Sequence, residues 1–330
     1  MKRIYTNHYV HLALAVLVGG AITYGFDVKH EDIKNTITRE QNSAFVLTSP
    51  ILDCESVGEI DSAALPHTEV QKKIEALAKK HDVSSYSVYF RNLNEGQWLG
   101  VNEKDFFAPA SMMKTPLLIA FLKRVEQAPR LLDIEVEAEQ MYFDRALTQN
   151  FDVATKIEKG KTYTLRQVAE IMIGQSDNVA ALMLSKYIRQ EDYQGLFDAV
   201  GVVQKQVDQD IDVRVKDFAA FFRVLYNASY LSREMSELAL SILAQSAFTG
   251  GIAAGVPSTT TVAHKYGERS IEQEINGMRF VKDRQLHDCG IVYAGEAPYI
   301  LCVMTKGQNF VTQQGFIADV STYIYEQTKK

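Results

Sequence analysis

The chain has 330 residues, of which 46% are hydrophobic and 23% charged, the composition of an ordinary globular protein with a sizeable core. A formal net charge of −6, with no long Lys/Arg run, excludes a broad basic surface, so nucleic acid is not a predicted partner. Three cysteines without metal spacing exclude a disulfide framework and a cysteine metal site, and no cofactor motif occurs.

Residues 1–30 form the first predicted element. Lys2 and Arg3 precede an apolar run over residues 10–26, and a basic flank of this kind stays in the cytoplasm while the apolar run enters the membrane. No Ala-x-Ala site follows, which favours an uncleaved anchor over a cleaved signal peptide. We predict attachment to the cytoplasmic membrane, or secretion if the segment is cleaved, with the rest of the chain outside.

Residues 31–66 are polar with no sustained period, so we predict a linker there. The folded domain is predicted over 67–330. Apolar residues at helical spacing after Thr68 indicate an amphipathic helix, and residues 84–90 and 98–101 indicate a hairpin of two strands.

Ser111 and Lys114 open the next helical stretch and lie one helical turn apart, on the same side. An amine there is able to take the hydroxyl proton and make the serine a nucleophile. Burial at the edge of an apolar helix would lower the pKa of the amine toward neutrality. The motif by itself equally allows a plain N-cap serine and a surface lysine.

The middle of the chain, from 111 to 247, has mainly helical patterning. Thr164 to Gln167 has the form of a capping box. The turn Ser176, Asp177 and Asn178 is by itself best explained as helix capping. Its position between the Ser111 motif and a later strand that carries Lys265 makes it the second wall of a predicted cleft.

Three apolar strands at 259–266, 289–293 and 299–305 and a closing helix at 313–327 complete the pattern. Together with the two early strands, they predict an α/β (α+β) fold with one antiparallel five-stranded sheet, flanking helices and an all-helical subdomain.

Several polar residues of the late strands have structural interpretations. Cys289 and Cys302 would face each other across a hairpin, and we favour two buried thiols over a bridge because direct cross-strand pairs strain the bond. Strand alternation turns His264 away from Lys265, which favours a structural role. His287 and Asp288 are interpreted as turn and hairpin-capping residues.

The order of the motifs S-x-x-K at Ser111, S-D-N at Ser176 and K-x-G at Lys265 resembles the class A β-lactamase and penicillin-binding protein superfamily. Segments 87–96, 262–265 and 287–293 also look like class A β-lactamase sequence. The resemblance covers about residues 68–330 and implies a β-lactamase/transpeptidase-like fold.

The resemblance implies a role for each matching residue. Ser111 would be the acylated nucleophile, Lys114 its base, and Ser176 the proton relay to the leaving group. The backbone N–H groups of Ser111 and Glu268 would form the oxyanion hole. Substrate would be bound by the amide of Asn178, by Lys265, which would steer negative charge, and by the strand residues Tyr266 and Gly267.

Two departures from the family pattern affect the predicted activity. The family usually has Thr or Ser where this chain has Tyr266, and that hydroxyl binds the substrate carboxylate. Class A β-lactamases also carry a loop glutamate that activates the deacylating water, and no Glu occurs between Glu191 and Glu234. Asp208 or Asp210 is a weak substitute, and Asp212 is better interpreted as a helix N-cap.

We therefore predict a serine acyl-transfer hydrolase acting on β-lactams or on cell-wall peptides ending in D-Ala-D-Ala, with slow deacylation and without metal or cofactor. The alternatives are a D-alanyl-D-alanine carboxypeptidase or endopeptidase, and a non-catalytic wall-binding protein that keeps the cleft. The partners implied are a β-lactam or peptidoglycan stem peptide and the membrane. The joint presence of all the motif residues favours chemistry over recognition alone.

Overall fold

An antiparallel sheet of five strands forms the centre of the molecule, in the order β2-β1-β10-β9-β8. The fold prediction is confirmed. The computed structural model describes residues 45–49, 67–147, 149–151, 154–207, 210–275 and 278–329, and the predicted membrane segment 1–30 lies outside them. The strands are β1 Ser85–Asn92, β2 Trp98–Val101, β8 Val262–Ile275, β9 Met278–Val292 and β10 Tyr299–Gly307.

Both faces of the sheet are covered, which explains why its strands are apolar without clean alternation. On β10, Leu301 and Val303 pack into one apolar cluster with α1 (His67–Lys80) and α9 (Phe310–Gln327). Ile300 and Met304 point the other way, into the cluster formed with the helical subdomain. The sheet is thus a buried platform, and its β8 edge lies against the turn Ala110–Met113.

Strands β8 and β9 are longer than the sequence analysis predicted. Their ladder runs from the pair Val262–Val292 to the pair Ile275–Met278, whereas β10 pairs with β9 only as far as Arg284. The outer half is therefore a two-stranded ribbon. Its sequence is polar and charged on both sides of the turn, so no apolar pattern predicts strands there. The hydrogen-bonded ladder between β8 and β9 shows that both segments are strands.

The helical subdomain is built between β2 and β8. A 3₁₀ turn over Ala110–Met113 leads into its central helix, and Thr164 forms the predicted capping box. Its helices are α2 Lys114–Gln127, α3 Gln140–Arg145, α4 Leu165–Gly174, α5 Asn178–Ser185, α6 Gln190–Val200, α7 Val215–Tyr226 and α8 Arg233–Leu243.

We had predicted an all-helical subdomain, but the structure shows that it also contains short strands. Two small sheets supplement it, one pairing β4 with β5 and one with the order β3-β7-β6. These short strands lack an apolar alternation long enough to be recognised in sequence. They are β3 Phe106–Phe107, β4 Glu135–Glu137, β5 Thr162–Thr164, β6 Gln204–Val207 and β7 Asp210–Arg214.

Residues 45–49, which fall within the predicted linker, lie against α8. The backbone N–H groups of Val46, Leu47 and Thr48 all donate to the Glu237 carboxylate at 2.8 Å. The Tyr293 hydroxyl donates to the carbonyl of Leu47. This part of the linker is therefore bound to the domain, which its polar sequence did not indicate.

Cys289 and Cys302 form a disulfide, contrary to the interpretation that the sequence favoured. They are direct partners in the β9–β10 ladder, with Cα atoms 4.0 Å apart. Both side chains are buried in the layer beneath the helical subdomain. Spacing alone could not choose between two thiols and a bridge, because the choice depends on the register of the two strands.

No helix in the described part of the chain is long and apolar enough to cross a membrane.

Candidate active site

Ser111 lies in the 3₁₀ turn that opens α2. The preceding residue, Ala110, has a φ of 50°, a left-handed conformation that costs a residue with a Cβ about 1–3 kcal/mol. The turn carries Ser111 to the edge of β8, where its side chain is half-buried. The predicted location of Ser111 at the start of a buried helix is confirmed by α2, most of whose residues are buried.

Lys114 follows one turn later, and its amine is hydrogen-bonded to the Ser111 hydroxyl. Its Nζ lies 2.8 Å from Ser111 Oγ and 2.6 Å from Asn178 Oδ1. The lysine is only 5% exposed, and burial lowers its pKa to about 8, although the carboxylates of Asp177 and Glu268 oppose the shift. A neutral amine is thus accessible near neutral pH, in hydrogen-bonding distance of the hydroxyl whose proton it would take.

The Ser176, Asp177 and Asn178 turn holds the opposite wall. Ser176 has a φ of 57°, and Asp177 caps α5 by accepting a hydrogen bond from the Ala180 N–H at 2.7 Å. The Asn178 side chain accepts from Lys114 and donates from Nδ2 to the carbonyl of Leu147. In this structure the Asn178 amide positions Lys114, and its binding of a substrate amide stays a prediction.

Lys265 projects from β8 into the same site and is fully buried. Its Nζ donates to Ser176 Oγ and to the backbone carbonyl of Tyr266, each at 2.8 Å. Burial, and next the repulsion from Lys114, hold its pKa well below the usual range of a lysine. Lys265 is therefore placed to exchange a proton with Ser176. Its predicted steering of anionic substrates stays a prediction, because the amine is not on the surface of the cleft.

Gly267 explains the third position of the K-x-G motif. A Cβ at this glycine would lie 2.4 Å from the Pro109 carbonyl oxygen and 2.9 Å from the Met112 nitrogen. Only glycine lets β8 approach the Ser111 turn so closely. The close approach puts the strand against the turn that carries Ser111, as an oxyanion hole from the N–H groups of Ser111 and Glu268 requires. That hole stays a prediction.

Tyr266 and Glu268 contact groups that the sequence analysis did not identify. The Tyr266 ring is 3% exposed and stacks on Phe248 with centroids 4.2 Å apart, while Phe151 meets its edge. Burial raises the pKa of Tyr266 to about 12, although a hydrogen bond with Ser176 favours the phenolate and opposes the rise. The Glu268 carboxylate accepts a hydrogen bond from the Asn150 N–H at 2.7 Å. These partners come from loops, where no sequence pattern signals the contact.

We had predicted that His287 and Asp288 are turn residues. The structure shows instead that both lie fully buried in the middle of β9. Asp288 Oδ1 is 2.8 Å from His264 Nδ1. Burial lowers the pKa of His287 to about 3. The neutral ring donates from Nε2 to the Ala108 carbonyl and accepts at Nδ1 from the Thr305 N–H. It therefore ties the sheet to the segment just before Ser111.

The segment in which a deacylating glutamate would be sought is a hairpin rather than a loop. Strands β6 and β7 pair in it, and Asp212 lies opposite Lys205 within the ladder. The predicted N-cap role of Asp212 is wrong, because the cap of α7 is Arg214. Asp208 and the side chain of Asp210 lie outside the described residues. The apolar pattern of α7 located that helix correctly but did not show that the strand runs up to it.

A family model described as "Beta-lactamase enzyme family" matches residues 69–328. No curated protein matches the chain. Among solved structures, PBP-A is similar with a TM-score of 0.66 and 23% identity, over 81% of this chain and 98% of that one.

Two further structures show the same fold. A PBP-A variant described as an acyl-enzyme complex with penicillin G has a TM-score of 0.64 and 22% identity, over 79% of this chain and 97% of that one. A class A beta-lactamase from Mycobacterium abscessus has a TM-score of 0.64 and 18% identity, over 79% of this chain and 100% of that one.

The pKa of Lys114 sets the expected pH dependence of acylation. Only the neutral amine accepts the Ser111 proton, so the rate should rise about tenfold per pH unit below a pKa of about 8 and level off above it. Stopped-flow acylation by a neutral activated ester between pH 6 and 9.5 measures this. Lys114→Ala should lose roughly 10²–10⁴-fold in rate, whereas Lys104→Ala, at an exposed position, should keep the native profile. A flat profile, or one that falls with pH, would contradict the role of Lys114.

Proposed function

Because the chain belongs to the beta-lactamase enzyme family, we propose that it forms an acyl-enzyme at Ser111 with β-lactams or with cell-wall peptides ending in D-Ala-D-Ala. One observation carries the proposal. Ser111 Oγ lies 2.8 Å from the amine of Lys114, whose pKa burial lowers to about 8. A serine with a poised base at that distance is an activated nucleophile.

The contacts support a complete acylation step. Lys114 takes the proton as Ser111 Oγ attacks the carbonyl carbon, and the developing oxyanion faces the backbone N–H groups of Ser111 and Glu268. When the tetrahedral intermediate collapses, the bond to the leaving nitrogen breaks. The nitrogen receives a proton from Ser176 Oγ, and the ammonium form of Lys265 returns one to that oxygen through its 2.8 Å hydrogen bond. Lys265 is then neutral, and Lys114 holds the proton taken from Ser111.

The choice of substrate class rests on the same chemistry. A β-lactam and a D-Ala-D-Ala peptide both present an amide carbonyl to a serine, and both carry a carboxylate near the leaving group. A similar structure, the PBP-A variant, is described as an acyl-enzyme with penicillin G. We propose that this chain is acylated by the same kind of carbonyl compound.

Slow deacylation is part of the proposal. Hydrolysis of an acyl-enzyme needs a base that activates water. The chain has no Glu between Glu191 and Glu234, and the described part of this stretch forms the β6–β7 hairpin followed by α7. Asp217, at the start of α7, is bound to Arg214 at 2.7 Å. Loss of general-base help makes the acyl-enzyme long-lived.

Time-resolved intact-mass spectrometry with penicillin G tests the nucleophile and the deacylation together. We expect an adduct of the mass of penicillin G that forms in a burst and then decays slowly, roughly 10²–10⁴-fold below base-assisted hydrolysis. Ser111→Ala should give no adduct, whereas Ser258→Ala, at an exposed serine, should react like the native protein. An adduct on Ser111→Ala would refute the assignment, and rapid steady turnover without an adduct would refute slow deacylation.

Tyr266 should weaken acylation by substrates that carry a carboxylate, because its buried ring replaces a short hydroxyl and the Glu268 carboxylate, two residues further along β8, adds negative charge. We expect Tyr266→Thr to accelerate acylation by penicillin G about tenfold, from one added hydrogen bond to a charged group, and to change acylation by penicillin G methyl ester little. Tyr266→Phe keeps the ring and should behave like the native protein. Equal gains for acid and ester in Tyr266→Thr would show that only space, and not carboxylate binding, had changed.

We propose that the domain works outside the cytoplasm, held by residues 1–30. The basic flank and apolar run support this topology, and the Cys289–Cys302 disulfide suits an oxidising compartment. Protease added to spheroplasts that express the full chain should degrade the domain, while fractionation should find the intact chain with the membranes. A protected protein in the soluble fraction would overturn the proposal.

A further inference from the structure

A cavity of ≈ 290 Å³ opens between the β1–β2 edge of the sheet and α7. Its lining includes Ala219 and Ala220 of α7 and the aromatic residues Tyr89 and Trp98. Trp98 remains 48% exposed although its ring lies 5.9 Å from that of Tyr89. None of these residues belongs to the candidate active site, and we call this space the β2–α7 cavity.

The β2–α7 cavity is lined by three basic side chains, Arg91, Lys216 and Arg223. Lys216 and Arg223 are seven residues apart, on one face of α7 with the two alanines between them, and Arg91 pairs with Trp98 across the β1–β2 ladder. Lys216 Nζ lies 3.9 Å from the centroid of the Trp98 ring. The β1–β2 hairpin and α7 therefore contribute three cationic side chains to the lining of one small cavity.

These cations have no carboxylate partner within the described part of the chain. None of the ion pairs found there includes Arg91, Lys216 or Arg223. The one acidic residue that lines the cavity is Asp217, and its carboxylate is bound to Arg214 at 2.7 Å. A protein of net charge −6 thus places three positive side chains around one concave site, an arrangement that favours the binding of an anion.

The size and lining of the cavity limit the ligand. Its volume lies at the lower end of the range for small-molecule sites. Guanidinium groups bind carboxylate and phosphate oxygens in a bidentate manner, and the indole and alanine surfaces suit a small organic body. We propose that the β2–α7 cavity binds a small organic polyanion, a phosphate ester or a polycarboxylate, separately from the acylation site.

Isothermal titration calorimetry on the full chain, at low ionic strength, tests the proposal with glucose 6-phosphate, citrate and glucose as probes. We expect glucose 6-phosphate or citrate to bind and neutral glucose not to bind. The anion that binds more tightly shows whether the cavity prefers a phosphate or a carboxylate group. If neither anion binds more tightly than about 10 mM, or if glucose binds as well as they do, the proposal is wrong.

Variants locate the binding. Arg223→Glu should weaken the affinity for the more tightly bound of the two anions by about tenfold or more, as expected for loss of a charged hydrogen bond. Arg166→Ala, at an exposed arginine of α4, and Ser111→Ala should leave the affinity unchanged. Arg223 is exposed, and a native circular dichroism spectrum and melting temperature report whether its variant is folded. Equal affinity in folded Arg223→Glu, or loss of binding in Ser111→Ala, would place the anion elsewhere and overturn the proposal.

Discussion

The burial of two lysine amines in one site is the constraint on which the rest of the structure depends. Lys114 and Lys265 are 5% and 0% exposed, and burial lowers the pKa of both amines, with repulsion from Lys114 lowering that of Lys265 further. A buried amine is tolerated only with hydrogen-bond partners. Ser111, Asn178 and Ser176 supply these partners. The groups that stabilise the buried amines are thus the same groups that the proposed reaction uses.

Bringing these partners together requires unusual backbone geometry on both sides of the cleft. Ala110 and Ser176 have φ angles of 50° and 57°, and Gly267 lets β8 touch the Ser111 turn. His287 braces the same turn from inside the sheet through its bond to the Ala108 carbonyl. Strain next to Ser111 persists because the surrounding packing holds it in place, so the sheet and the turn that carries Ser111 form one packed unit.

The β6–β7 hairpin and the aromatic packing around Tyr266 are the two features that depart from the family pattern. A hairpin satisfies its own backbone hydrogen bonds, with β7 also paired to β3. Tyr266 turns its ring into contact with Phe248 and Phe151, so the β8 edge presents an aromatic group and the Glu268 carboxylate. The residues that we propose for acylation thus follow the family pattern, while the parts that would bind a carboxylate and activate water differ from it.

The sequence alone determined what depends on local spacing and apolar patterning. The one-turn spacing of Ser111 and Lys114, the capping box at Thr164, the five-stranded sheet and the fold class all follow from such signals. Only the tertiary structure decided what depends on register and on contacts distant in the chain. Direct cross-strand pairing joined Cys289 to Cys302, a ladder extended β9 through His287, and burial turned the amine of Lys265 from a surface cation into the partner of Ser176. Burial and register are properties of the packed chain, and no local pattern encodes them.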